Sequence, residues 1–221
     1  ALSFVNPPEG FLSSTSAVTL AARAADANSL TVFFDGSLVH GADGLYELVM
    51  SYADGTKNVL ASVVDAAGNT SNAALRFMVD TTPPELFPVT VDPSGWTEDT
   101  TPVLTFGTTD ATSGIARYEV SIDAGPGVEA ASPFGIGPLP DGVHAIEVTA
   151  FDRAGNTQTV CAAAHIDTVA PPAPELFRGI EAPDQVELVW ESPADDVVSY
   201  RIDRTPAWAG GRMTVSALNF V

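Results

Sequence analysis

The feature that most limits how this chain can fold is that it repeats itself. Asp65-Ala-Ala-Gly68-Asn69-Thr70 recurs as Asp152-Arg-Ala-Gly155-Asn156-Thr157, Asp80-Thr-Thr-Pro-Pro84 recurs in looser form from Asp167 to Pro172, and Asp54-Gly55 recurs as Asp141-Gly142. All three pairs are 87 positions apart. Further upstream Val-Phe-Phe-Asp at 32–35 answers to Val-Ser-Ile-Asp at 120–123 with a spacing of 88, so one residue has been inserted or lost between the motifs. Three motifs held in register over such a distance mark a repeated structural module rather than a shared short turn.

Each repeat carries the period of a half-buried strand. Val59, Ala61 and Val63 alternate with other residues ahead of the first Ala-Gly-Asn turn, and Ile146, Val148 and Ala150 do so ahead of the second, with Glu147 and Thr149 pointing to the opposite face. Asp-Gly before the strand and Ala-Gly-Asn after it supply residues that tolerate positive φ, and Asn69 is read as the one that adopts it. Together they predict a strand, hairpin, strand unit. Turn signals about every ten residues and the absence of an amphipathic helical window predict an all-β chain of sandwiches in which helices are nearly absent. Tandem prolines cannot join a ladder and stiffen a connection, which places boundaries near Pro83 and Pro171 and gives modules at 1–82, 83–170 and 171–221.

Composition narrows the function. The formal charge is -19, from 28 acidic and 9 basic residues with Lys57 the sole lysine, and such a surface repels nucleic acid and anionic membranes while suiting divalent cations, a salty medium or plain solubility. Cys161 is the only cysteine, so no intrachain disulfide forms. It sits in the small apolar run 160–164, which reads as a strand with a buried structural thiol. No run approaches the roughly 18 apolar residues of a membrane helix, and residues 1–10 lack the basic then apolar pattern of a signal segment, so any leader or anchor is expected outside this sequence.

The Asp-x-Ala-Gly-Asn-Thr turn followed by a strand and Asp-Thr-Thr-Pro-Pro resembles the bacterial immunoglobulin-like (Big-type) repeats of large surface proteins, over residues 1 to about 170. Asn6-Pro-Pro-Glu-Gly10, Ser13-Ser14-Thr15 and Phe34-Asp-Gly36 are similar to opening strands of that family, as are Asp110-Ala-Thr-Ser-Gly-Ile115 and Tyr118-Glu-Val-Ser-Ile-Asp123 in the second module. Beyond Pro174, Val186, Leu188 and Trp190 alternate, Pro193 follows, and Tyr200, Ile202 and Arg204 alternate again, which resembles the first half of a fibronectin type III module. That family needs roughly 90 residues, and about 50 are present. A cut chain, a short variant, or an open edge that receives a strand from elsewhere all account for the shortfall.

The resemblance implies immunoglobulin-like sandwiches plus an incomplete fibronectin type III-like one. It implies a non-catalytic spacer of an extracellular or cell-surface protein, of adhesin, surface-layer or stalk type, whose partners are other modules of the same protein. The alternative is a glycan- or protein-binding accessory module, or a strand-donating subunit of an extracellular assembly. Loops cluster at the ends of such a sandwich, so the Asp110 loop and the Asp152 turn are expected near the Asp80 linker. Asp80, Asp110 and Asp152, with Asn156 and backbone carbonyls, are the candidate calcium ligands. The plainer reading of the same aspartates is capping of local backbone donors.

Catalytic constellations are missing from the sequence. His40, His144 and His165 are scattered, fit no zinc-binding or nucleophile-elbow pattern, and read as surface or strand-face histidines. No phosphate-binding glycine loop occurs, 125–127 reads as an interstrand loop, and Asp195-Asp196 reads as a solvated pair. Asn69-Thr70-Ser71 fits the glycosylation pattern. Trp96, Trp190 and Trp208 are candidates for a sugar platform, Trp190 having a core place in the third module. The expectation is no enzyme, no organic cofactor, no nucleic acid and no membrane insertion.

Overall fold

The computed structural model describes residues 1–26, 30–182, 185–191, 197–202 and 213–216. The chain divides into two units, Ala1–Asp167 and Thr168–Val221. Every regular element among the described residues is a strand, as the turn spacing predicts, and no helix there is long and apolar enough to cross a membrane.

The first repeat contains β1 (Leu2–Asn6), β2 (Leu12–Ser13), β3 (Ala17–Ala24), β4 (Leu30–Phe34), β5 (Ser37–Val39), β6 (Gly41–Ala42), β7 (Leu45–Ser51), β8 (Gly55–Asp65) and β9 (Thr70–Val79). They form two sheets, in the orders β1-β3-β7-β6 and β2-β9-β8-β4-β5. Val18, Leu20, Val32, Phe34, Val59, Ala61 and Phe77 meet between them as one core.

The second repeat contains β10 (Val89–Asp92), β11 (Trp96–Thr97), β12 (Val103–Phe106), β13 (Ile115–Ile122), β14 (Val128–Ala130), β15 (Phe134–Gly135), β16 (Gly142–Asp152) and β17 (Thr157–Ile166). Its sheets run β10-β12-β15 and β11-β17-β16-β13-β14 around a separate core of Phe87, Leu104, Phe106, Val120, Ile146, Val148 and Ala150. Complete burial of each such aliphatic or aromatic side chain stabilises the fold by roughly 1.5–3 kcal/mol.

The 87-residue period is visible in the ladders. Gly55 faces Val79 and Val64 faces Thr70 in β8–β9, while Gly142 faces Ile166 and Phe151 faces Thr157 in β16–β17, an identical register. The preceding strand behaves differently: Val32 faces Val63, whereas its sequence counterpart Val120 faces Val148, the counterpart of Ala61. The strand has slid by two residues. Because side chains alternate with period two, such a slip keeps the same face inward, whereas a slip of one would have turned the core residues to solvent.

One sequence expectation fails by this same parity. Cys161 is exposed, not buried, because it faces Glu147 on the outer side of β17 while Ala164 and Ile166 take the inner side. His144 lies two residues before Ile146 on the inner face of β16 and is buried, unlike the exposed His40 and the partly buried His165.

In the second unit β18 (Glu175–Ala182) pairs with β19 (Gln185–Glu191), and β20 (Ser199–Ile202) with β21 (Met213–Ser216), both antiparallel. Trp190 packs edge-on against Tyr200 at 5.2 Å, giving it the interior contact its alternation suggested. The Tyr200 hydroxyl is buried without a hydrogen-bond partner among the described residues. Arg204, Trp208 and Asp195-Asp196 lie outside the described residues.

Candidate metal centre at the junction of the repeats

The junction is assembled from three backbone features, each explained by local chemistry. The first is the turn after β16. Asp152 Oδ1 accepts the backbone N–H groups of Gly155 (2.6 Å) and Asn156 (2.9 Å), and Oδ2 accepts Asn156 Nδ2 (2.7 Å). The left-handed position belongs to Gly155 (φ 97°), and in the first repeat to Gly68 (φ 89°), where a Cβ would be strained. Asn69, expected to hold that conformation, instead bridges the turn through its side-chain amide, as Asn156 does in the second repeat.

The second feature is the loop before β13. Asp110 Oδ1 accepts the backbone N–H groups of Thr112 (3.1 Å), Ser113 (2.8 Å) and Gly114 (2.9 Å), a nest that favours negative charge. Burial pushes the Asp110 carboxyl up, but these donors together with a hydrogen bond shared with Asp80 outweigh it and hold the group below its usual value.

The third is the linker that leaves β9. Asp80 donates its N–H to Ser13 O at 2.8 Å and is fully buried. Its Oδ2 accepts the Ser113 N–H (3.1 Å), its Oδ1 the Thr82 N–H (3.2 Å), and its carbonyl accepts Asn156 Nδ2 (2.9 Å). The second repeat thus grips the linker through Ser113 and Asn156.

The first repeat grips it from the other side through Asp54, which the sequence showed only as the Asp of an Asp-Gly turn. Asp54 Oδ1 accepts the Thr81 N–H and Oγ1–H, both at 2.9 Å, and Oδ2 accepts the Thr82 Oγ1–H at 2.6 Å. The Thr82 hydroxyl first, then the two Thr81 donors, hold the Asp54 carboxyl below its ordinary value. Its recurrence as Asp141 is the signal that could have marked it.

These features bring together three of the four residues singled out from sequence. One carboxylate oxygen each from Asp80, Asp110 and Asp152 lies within 4.8 Å of the others, with Asp80 and Asp152 buried and Asp110 partly so. Asn156 adjoins them but turns its amide nitrogen, not its oxygen, toward Asp152 and the linker carbonyls. The ion pairs among the described residues, Arg117–Glu119 and His144–Asp123, involve none of the three. Carboxylates so close and so shielded repel one another unless a cation or a proton lies among them. Oxygens within 4.8 Å of one another can share one ion at about 2.3–2.6 Å, and an all-oxygen set with nearby backbone carbonyls is the chemistry of a hard divalent cation. The residues therefore fit calcium.

A half-buried contact between a histidine and an aspartate lies in the β13–β14–β16 region of the second repeat. His144 Nδ1 is 2.7 Å from Asp123 Oδ2, and Nε2 is 2.9 Å from the Pro140 carbonyl. The Asp123 hydrogen bond and then the Pro140 carbonyl raise the His144 pKa, against the opposing effect of burial. Both ring nitrogens face oxygens, so the protonated ring satisfies both contacts and neither nitrogen is left as a free base. Trp96 is 63% exposed and meets the His165 ring edge-on at 5.2 Å.

No described protein family and no curated protein matches the chain. Solved structures with a similar arrangement of strands do. They include fibronectin(III)-like modules of Clostridium thermocellum CbhA (14% identity, 75% of this chain and 94% of that one, TM-score 0.45). A 1.5-MDa bacterial ice-binding adhesin is similar at 16% identity over 77% of this chain and 66% of that one (TM-score 0.42). A calcium-stabilised adhesin with which an Antarctic bacterium binds ice is similar at 18% identity over 79% of this chain and half of that one (TM-score 0.44). Likenesses this distant concern the β-sandwich fold alone.

Proposed function

We propose that this chain is a non-catalytic spacer segment of a secreted or cell-surface protein, in which calcium bound by Asp80, Asp110 and Asp152 fixes the angle between the two repeats. The observation that carries the reading is the linker, which is hydrogen-bonded to Asp54 on one side and to Ser113 and Asn156 on the other while its own Asp80 meets two further carboxylates. A connection meant to bend would leave its backbone groups to water; this one has them satisfied by both neighbours. The acidic surface keeps such a segment soluble and apart from anionic membranes.

Thermal unfolding in excess EGTA and in millimolar calcium, with magnesium as control, tests the metal. A calcium-specific rise of several degrees is expected by mass action, because the ion binds the folded junction only. Asp110→Asn should abolish that rise. Coincident midpoints in the parent chain overturn the calcium reading and leave the three aspartates as turn caps.

A further inference from the structure

Several of the groups around the linker in the second repeat have counterparts at the other end of the first. Glu85 enters the second repeat with its N–H on Thr109 O (3.0 Å), and Ala1 enters the first against Ala25, whose N–H reaches Ala1 O at 3.3 Å. Ala1 and Glu85, Ala25 and Thr109, and Asp26 and Asp110 are each 84 positions apart. Leu30 faces Asp65 where β4 begins, as Ile115 faces Asp152 where β13 begins. The Asp65 turn also repeats the Asp152 turn bond for bond at its asparagine: Asn69 N–H to Asp65 Oδ1 (2.8 Å) and Asn69 Nδ2 to Asp65 Oδ2 (2.8 Å).

Among the described residues, the two turns differ at the asparagine. In the second repeat Asn156 Nδ2 additionally reaches the carbonyls of Asp80 and Thr82. In the first, the corresponding space is a pocket lined by Ala1, Ala25, Asp26, Leu30, Asp65 and Asn69. Its Ala1, Asp65 and Asn69 correspond to Glu85, Asp152 and Asn156, the groups that surround residues 80–82 in the junction.

We propose that this pocket is a second linker-receiving site, built to take an Asp-Thr-Thr segment that runs into Ala1 as residues 80–82 run into the second repeat. Asn69 Nδ2 would hold the linker carbonyls, and the linker aspartate would join Asp26 and Asp65. The inference goes beyond the spacer reading and does not require the junction itself to bind calcium.

The test places a copy of residues 79–84 directly ahead of Ala1 in the full chain, which restores the five-residue offset between Asp80 and Glu85. A tail of the same composition in scrambled order serves as control. Nuclear magnetic resonance in EGTA and in calcium should show the native-order tail ordered, its amide exchange slowed about tenfold or more relative to the scrambled tail, and the Asn69 side-chain amide shifted. Asn69→Ala should release it. Ordering in both buffers, or in calcium alone, supports the proposal, the latter adding the ion as a component. Native and scrambled tails that remain equally mobile in both buffers overturn it, even where the junction of the same chain still responds to calcium, so the two readings fail separately.

Discussion

The Asp65 and Asp152 turns are the same object in two settings. Each closes a β-hairpin of identical register, each has its glycine at positive φ, and each ties its carboxylate to the asparagine four residues on. Yet Asp152 is buried under the linker and stands beside two other carboxylates, whereas Asp65 is partly open to solvent. The hydrogen bonds that make the turn are local and belong to the motif; the burial and charge crowding that make a candidate site belong to what arrives on top of it.

The comparison can be broken most forcefully by removing both carboxylates in turn. In calcium, Asp152→Ala removes a buried carboxylate and takes the acceptor from the N–H groups of Gly155 and Asn156 and from Asn156 Nδ2, which should cost about 3 kcal/mol, a fall in melting temperature of roughly 6–12 °C for a chain of this size. Asp65→Ala breaks the same bonds where water can replace them, and the calorimetric shift should be less than half as large. Equal shifts would mean that the setting contributes nothing. Asp152→Asn separates charge from hydrogen bonding: it should destabilise in calcium, yet be neutral or stabilising in EGTA, where it relieves repulsion with Asp80 and Asp110.

A smaller effect is expected at Asp54. Asp54→Ala should speed amide exchange at Thr81 about tenfold while leaving exchange in both cores unchanged. Because the Asp54 carboxyl is held below its ordinary value by the Thr82 and Thr81 donors, this contribution is present at neutral pH and is lost as pH falls below about 3.8 through the lower folded value.

The smallest effect contrasts the hairpins that begin at Asp35 and Asp123. Both aspartates have positive φ (47° and 50°) and both accept a backbone N–H from the next strand, of Leu60 and Ala145 respectively. Only Asp123 also meets a histidine. Since the folded His144 pKa is raised above 6.5, the pair's stabilisation is complete below that pH and is lost as pH rises through the folded value. The melting temperature should therefore drop slightly between pH 6 and about 8.5, by a degree or two. Asp123→Asn should flatten that slope, and Asp35→Asn should not alter it.

Much of this was legible before the coordinates, for a reason particular residues make plain. Val59, Ala61 and Val63, with Ile146, Val148 and Ala150, alternate, and alternation survives folding unchanged because strand side chains have period two. Cys161 was misread because small apolar residues occupy both faces of its strand, so hydrophobicity carried no direction; counting back from Ile166 would have turned it outward. His144 shares the parity of Ile146, but its partner Asp123 sits in the turn after β13, and no local pattern connects the two. Asp54 was hidden because its partners, Thr81 and Thr82, lie in a segment whose prolines drew attention to stiffness rather than to hydrogen bonding.

The parallel pairings at the edges of the larger sheets bear on how each repeat would respond to a pull on its ends. Leu12 and Ser13 lie alongside Met78 and Val79 in β2 and β9, and Trp96 and Thr97 alongside His165 and Ile166 in β11 and β17. Further backbone bonds, Asp80 N–H to Ser13 O and Asp167 N–H to Thr97 O, continue each ladder to the exit of its repeat. Strands that enter early and leave last, pointing the same way, slide past each other when the ends are pulled. The bonds between them are then strained together in shear, not opened one after another like a zipper. Each repeat is thus built to resist a pull that draws those two strands apart along their length.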